Sequence, residues 1–510
     1  MRFLLLLTAA VCFAQPAPEK SALTGRVVSA ATGAPLKKAT VWLEKFSSER
    51  GVNNAPSVPE VITDAEGRFH IPGVEPGAYL LQARRTGYLD QGYGSPVPDT
   101  VGPPLELGAG ETKRDLVLKL MPQSLVYGKI VDEDNDPAPG AQVAVLRVSY
   151  AGGHRHLVDA GMSESQDDGS FVVGNLKPGR YYVSAFLPNM SQPPSSERHI
   201  KTFYPSAADA ADAQPVEVAA GAEVRGVAIR LRKSRVFRVR GRAVIAADST
   251  PAAEVSFLLQ PLGRGGKTFQ DGRFEIEAVP PGSYWLETAP QQVVAARIPI
   301  TVAENDVEGV VFPIGNGAMV DCKVRGADTG SIALTPVGRG ADSRFELQIG
   351  GARFYHLLPV AYEIDVNGLP KGSYVKGITF QGRPVVDWTV DLSAGSGGDL
   401  IVEVSPDAGE VSGKIDQPGA VVQIWPADGA TARSTRSGPH GEFRFDSLPP
   451  GDYRVLAWQD LDDDLAQYAP FRAAFSADAS SVHVGERGHE RAEPRTIALD
   501  AIAAEAAKLK

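Results

Sequence analysis

Asp64-Ala65-Glu66-Gly67-Arg68-Phe69 is followed, ten residues beyond its Phe, by a tyrosine behind a second turn, Pro76-Gly77-Ala78-Tyr79. The Asp side chain hydrogen-bonds its own turn backbone, and the Gly takes the positive φ that a tight hairpin needs. Pro-Gly then reverses the chain again, so that Tyr79 opens a strand continuing by alternation through Leu81 and Ala83. The same interval joins Asp167-Asp168-Gly169-Ser170-Phe171 to Pro178-Gly179-Arg180-Tyr181, and Asp271-Gly272-Arg273-Phe274 to Pro281-Gly282-Ser283-Tyr284. It returns once more between Gly438-Pro439-His440-Gly441-Glu442-Phe443 and Pro450-Gly451-Asp452-Tyr453. Phe and Tyr rings on neighbouring strands face a common core, and each Tyr hydroxyl then needs an acceptor at the end of the sheet.

Upstream of each pair lies a strand that opens with an apolar residue, any residue, a small residue and a base. The five copies are Leu23-Thr24-Gly25-Arg26, Val126-Tyr127-Gly128-Lys129, Val239-Arg240-Gly241-Arg242, Val320-Asp321-Cys322-Lys323 and Val411-Ser412-Gly413-Lys414. Successive copies are 103, 113, 81 and 91 residues apart, the size of one small all-β domain. A second alternating strand follows each opening, as at Ala39 to Leu43 or Ala420 to Ile424, and a third closes each unit, as at Leu116, Leu118 and Leu120. In the last unit that closing role falls to Ile497 and Leu499. The fourth unit lacks the Asp/Gly turn and Pro-Gly-x-Tyr, and offers Phe354 and Pro359-Val360-Ala361-Tyr362 in their place. Short linkers, such as 232–235, predict an elongated, semi-rigid string.

These residues resemble the carboxypeptidase regulatory-like domain, through the stretch 33–41, Thr63 to Phe69 and Pro76 to Tyr79. The resemblance implies an all-β fold, a tandem array of about five transthyretin-like (prealbumin-like) β-sandwich domains after a signal peptide. The divisions read as 1–14 signal peptide, 21–121, 124–232, 235–315, a divergent 317–405, 408–500, and a short tail 501–510. Domains of this kind, and of the neighbouring carbohydrate-binding-like fold group, serve as accessory or binding modules. The namesake enzymes carry zinc in a separate catalytic domain with a His-x-x-Glu and a distant His, and the five units leave almost no chain here for such a domain. No enzyme activity and no cofactor is therefore expected, and the resemblance points to the cell envelope.

Composition agrees with export. Arg2, the apolar run 3–13 and Ala14-Gln15-Pro16 form a short secretory signal, too short to remain as a span. A secreted protein of the periplasm or outer envelope follows, with no transmembrane segment in the mature chain. Lipidation at Cys12 is disfavoured by Val11, and Cys322 then stands alone, a small strand residue without a disulfide partner. The net charge of −10 repels a phosphate backbone and leaves no expectation of nucleic acid.

Candidate sites are few. Asp460, Asp462 and Asp464 form the densest acidic cluster and a weak calcium site. Asp132, Asp134 and Asp136 have calcium-loop spacing, but Pro137 occupies the Gly position and a polar turn accounts for them. His154, His156 and Asp159 read as a solvated loop. Tyr88, Tyr93, Tyr204 and Trp458 lie near loops or strand ends, where exposed rings stack on sugars. The expected function is a non-enzymatic binding protein taking a polysaccharide, or alternatively a structural spacer or scaffold engaging an envelope protein.

Overall fold

The computed structural model describes residues 19–509 apart from 48–50, 57–59, 99, 151–154, 189–195, 290–294, 338–343, 352 and 429–431. The signal-peptide expectation for 1–14 lies outside the described residues, as does His154. Strands account for 57% and helices for 5%, so the chain is all-β. Residues to Pro122 form one compact unit and residues from Gln123 another.

In the first unit the opening strand, Ser21–Ser29, is the centre of a three-stranded sheet. It lies antiparallel to the Phe strand, Arg68–Val74, and parallel to the closing strand, Thr112–Leu120. The facing sheet centres on Thr40–Ser47 paired antiparallel with the Tyr strand, Gly77–Arg84. Leu23, Val27, Val41, Leu43, Phe69, Tyr79 and Leu118 meet between the sheets as the alternation requires.

The second unit repeats that pair of sheets four times. Its opening strands are Ser124–Val131, Phe237–Ile245, Ala318–Arg325 and Gly409–Lys414, each lying between an antiparallel Phe-type strand and a parallel closing strand. Every sheet pair encloses its own apolar cluster. The tyrosine expectation is met in identical form: the hydroxyls of Tyr79, Tyr181, Tyr284 and Tyr453 donate to the carbonyls of Glu75, Lys177, Pro280 and Pro449, at 2.7 to 3.0 Å.

One irregularity is common to all five copies. The pairing of opening and Phe strands skips a residue between Ser21 and Leu23, Ser124 and Val126, Phe237 and Val239, Ala318 and Val320, and Gly409 and Val411. The extra residue beside each skip has positive φ: Gly73, Asn175, Ala278, His356 and Ser447. A bulge of this kind strengthens the local twist, and its recurrence in the fourth copy shows that this module shares the common wiring. Beyond that core it adds Tyr374–Phe380 and Arg383–Pro384 outside its closing strand, making a five-stranded sheet.

Inside the second unit the junctions are hydrogen-bonded. The linker Arg232–Arg235 is itself a strand, antiparallel to Glu197–Ile200. Glu133 fastens it, pairing with Lys233 and, at 2.8 Å, with Nε2 of His199. Burial would raise the Glu133 carboxyl, but hydrogen bonds from Lys233, its own backbone and His199 outweigh this and hold it at about 2. Farther on, Ala295 N–H donates to Gly315 and Ala295 packs into the fourth core, while Gly372 N–H donates to Ser447 Oγ at 3.2 Å.

The last module departs from its expected end. Its closing strand is His489–Ala492, Ile497 belongs to the short strand Thr496–Ile497, and Leu499 begins a helix. Three short helices occur here: α1 (Asp463–Gln467), α2 (Ala469–Ala473) and α3 (Leu499–Ala506). Ile502 of α3 is buried, so the helix crosses the boundary at 500 and the tail is packed.

Candidate functional site

The strand Val421–Pro426 of the last module is buried on both faces. Val422 and Ile424 enter the sandwich core, whereas Val421, Gln423 and Trp425 face outward. On the paired Tyr strand, Gly451–Trp458, Leu456 and Trp458 face outward in the same way. A bare outer sheet face this apolar has to be covered, and α1, α2 and α3 cover it through Ala466, Phe471 and Ile502, joined by Phe475 just after α2. Asp462 starts the cap by accepting the Asp464 N–H at 3.0 Å, and Pro470 stands in the first turn of α2, where its missing N–H costs nothing.

Trp458 is fully buried at the centre of this layer. Its Nε1 donates to Gln423 Oε1 at 2.8 Å, its ring stacks on Phe471 with centroids 5.7 Å apart, and Phe475 meets it edge-on at 5.1 Å. Gln423 Nε2 donates in turn to the Ala466 carbonyl at 3.0 Å, tying α1 to the sheet. Trp458 therefore holds the cap and presents no face for a sugar to stack on, which corrects its place among the candidate ligand residues.

The three aspartates also separate. Asp460, 5% exposed, accepts from Leu461 N–H and from Arg436 at 3.4 Å; Asp462 caps α1; Asp464 turns to the second sandwich. Among the described residues no three His, Cys, Asp or Glu side chains form a metal-binding group, so the calcium reading of Asp460, Asp462 and Asp464 is not supported. Asp132 accepts from Asp134 N–H and Asp136 N–H, both at 2.9 Å, as a turn of its own.

Asp464 receives Ser149 Oγ at 2.6 Å and Arg147 Nη2 at 3.2 Å, while Tyr468 stacks on Tyr150 with ring centroids 4.5 Å apart. The second and fifth sandwiches thus touch, where a simple string of modules would leave them apart.

Beside this contact α2 borders a cleft of about 390 Å³, lined by Trp425, Ala427, Arg454, Ala469, Pro470, Arg472, Ala473 and Ser476. Arg472 is 3% exposed, with Nη1 donating to the Ala466 carbonyl at 2.9 Å and its guanidinium 5.7 Å from the Trp425 ring centroid. Burial pulls its pKa below the usual arginine value. Arg454 is half-buried and reaches the Ser476 carbonyl at 3.3 Å. The cleft escaped the sequence reading, which takes Ala420 to Ile424 as a half-buried alternating strand; Val421 and Trp425 on its second face are the signal that this face is covered too.

The remaining rings are half-buried and serve packing. Tyr88 and Tyr93 lie against the core of the first unit, with the Arg85 guanidinium 5.1 Å from the Tyr88 ring, and Tyr204 lies against the second core. Tyr204 and Trp458 belong to different clusters of their unit and form no common platform. Cys322 is 8% exposed, and burial pushes its thiol up to about 11, which makes it a poor nucleophile.

Residues 22–117 match the carboxypeptidase regulatory-like domain. The matched stretch spans the first sheet pair, and the later pairs repeat its strand order. No curated protein shows significant similarity to the chain. Among solved structures, a streptococcal ancillary pilin is 14% identical and aligns over 58% of this chain and 99% of its own, with a TM-score of 0.22. The minor pilin of Streptococcus agalactiae is 12% identical over 42% and 96%, at 0.25. The Bacillus anthracis TIE protein is 12% identical over 90% and 69%, at 0.15. Scores this low do not establish a shared overall arrangement.

Proposed function

We propose that the chain is a non-enzymatic scaffold of the cell surface, built of sandwich modules divided near 21–121, 124–232, 235–315, 317–405 and from 408 onward, and engaging a protein partner. The observation that carries this reading is the fastening of the junctions within 123–510. A linker that is itself a paired strand, and a helical cap that bridges the fifth sandwich to the second, restrain the mutual positions of modules. Such restraint suits presentation of loops and edges to another protein. Among the described residues no helix is long and apolar enough to cross a membrane. Export itself rests on the segment 1–14.

The alternative, polysaccharide binding, loses Trp458 to the interior and keeps only rings engaged in packing. Glycan arrays and a panel of hydrolase substrates, read beside crosslinking of the exported chain in its envelope, decide between them. The scaffold reading expects no glycan retention, no turnover and a defined crosslinked protein. Saturable retention on any glycan, or turnover abolished by a point substitution, overturns it.

A further inference from the structure

We propose that the outer edge of the first unit's closing strand, Thr112–Leu120, takes up an acidic, extended segment of a partner protein as an added antiparallel strand. The proposal rests on the scaffold reading for the kind of partner, and goes further by naming where it docks and by what chemistry. The fourth sandwich supplies the geometry. There the same edge, on the closing strand Gly398–Ser405, is filled by Tyr374–Phe380, with Thr379 opposite Ile401 and Gly377 opposite Glu403. The other later copies close it by different means. In the second, Arg230 N–H donates to the Pro205 carbonyl, and the Arg230 carbonyl accepts from Ser206 Oγ at 2.9 Å. The third places Pro313, which has no N–H, on this strand, and the fifth shortens the strand to the four residues His489–Ala492.

In the first copy the Leu120 carbonyl accepts Ala30 N–H just past the opening strand, so alternation sends the N–H and C=O groups of Val117 and Lys119 the other way. Among the described residues no strand and no backbone bond meets them. Beyond them the Met121 carbonyl accepts Leu89 N–H, which bounds the open stretch. Val117 is 44% exposed, and Arg26 lies across the ladder from it. Lys119 stands opposite Val28 as Glu403 stands opposite Arg325, so the sign on the closing strand is reversed. An exposed lysine here deters neutral or basic strands and selects an acidic one, while main-chain bonds to Val117 and Lys119 supply the affinity.

The test is the fluorescence anisotropy of a dye-labelled, capped peptide, Glu-Thr-Glu-Thr-Val-Thr, titrated with the full chain at low ionic strength. It is expected to bind saturably with a Kd below about 0.5 mM, and its counterpart with lysine for each glutamate to bind about tenfold more weakly or worse. N-methylation of the peptide's valine removes a ladder bond and is expected to weaken it about fivefold or more. Val117→Pro withdraws an outward N–H without touching the bonds to the opening strand, and is expected to weaken binding to the same degree at an unchanged unfolding midpoint. Lys119→Glu is expected to reverse the preference toward the lysine peptide. No saturable binding up to about 0.5 mM chain, an unaffected N-methyl peptide, or an unchanged preference in folded Lys119→Glu each overturns the proposal. So does dimerisation of the chain that Val117→Pro abolishes, which would give the edge to a second copy. Titration decides the edge and crosslinking in the envelope decides the scaffold, so the two readings fail separately.

Discussion

In the second sandwich the close approach at the heart of the small sheet falls on Gly128, where a Cβ would strike the Val227 carbonyl and the Phe171 ring. The same holds at Gly25, Gly241 and Gly413, each pressed by a Phe ring and by a carbonyl of the closing strand. The fourth sandwich places Cys322 there, for a reason visible in its register. Phe354 pairs with Val320, the position taken by Val173 opposite Val126, so its ring sits one inward step away from the cysteine. The closing strand is regular beside Cys322, whereas in the first three copies it bulges near the glycine. Glycine reappears across the ladder at Gly397, where a Cβ would strike the Met319 carbonyl. The requirement for a residue without Cβ follows the ring rather than a sequence position, since the fifth copy keeps Gly413 under Phe443 on a regularly paired closing strand.

The strongest way to break this contrast is to exchange the side chains. Gly128→Val is expected to destabilise the second sandwich by about 3 kcal/mol or more, since ring and carbonyl must both move. Cys322→Val, a swap of similar volume without a ring above it, is expected to cost less than about 1.5 kcal/mol. Denaturant titration followed by hydrogen exchange in each module reads both, and equal costs would refute the account.

A smaller effect sharpens the likeness among the regular copies. Tyr181→Phe removes the bond to the Lys177 carbonyl while keeping the ring, and is expected to cost about 1 kcal/mol. Tyr79→Phe and Tyr453→Phe should cost the same, with faster amide exchange confined to the adjoining Pro-Gly turn. A spread of several-fold would mean that the four corners are not equivalent.

The smallest effects lie at the two ends of the pH scale. Glu133 is lowered from 4.5 to about 2, so its contribution to the linker is present above pH 4.5 and is lost as pH falls toward 2. Cys322 is raised from 9.0 to about 11, so its contribution is present below pH 9 and is lost as pH rises toward 11. Exchange at Arg232–Arg235 should accelerate only on the acid side, and exchange beside Cys322 only on the alkaline side. Half-exposure of Glu133 keeps its share below about 1 kcal/mol.

The regular copies were legible because their information is local. Asp-Gly and Pro-Gly turns fix where strands begin, and a ring ten residues from another fixes which face is inside. The bulges were not, because positive φ at Asn175, Ala278, His356 and Ser447 has no glycine to announce it. Phe354 stands in sequence for the Phe of the regular copies yet pairs with Val320 rather than with Cys322, because motif matching does not set register. The helical cap was missed for a different reason: helices of five residues show no period. The acidic run 460–464 therefore reads from sequence as a weak calcium site, whereas Asp464 meets Arg147 across 317 residues of chain.

The chain enters each of the first four sandwiches on the opening strand and leaves it on a closing strand that runs alongside in the same direction. Entry and exit therefore lie at opposite ends of one ladder. A pull on the two ends of such a module loads those hydrogen bonds in shear, all at once, where a hairpin would unzip them one after another. The glycine and its bulge sit on the strand pair that carries the load.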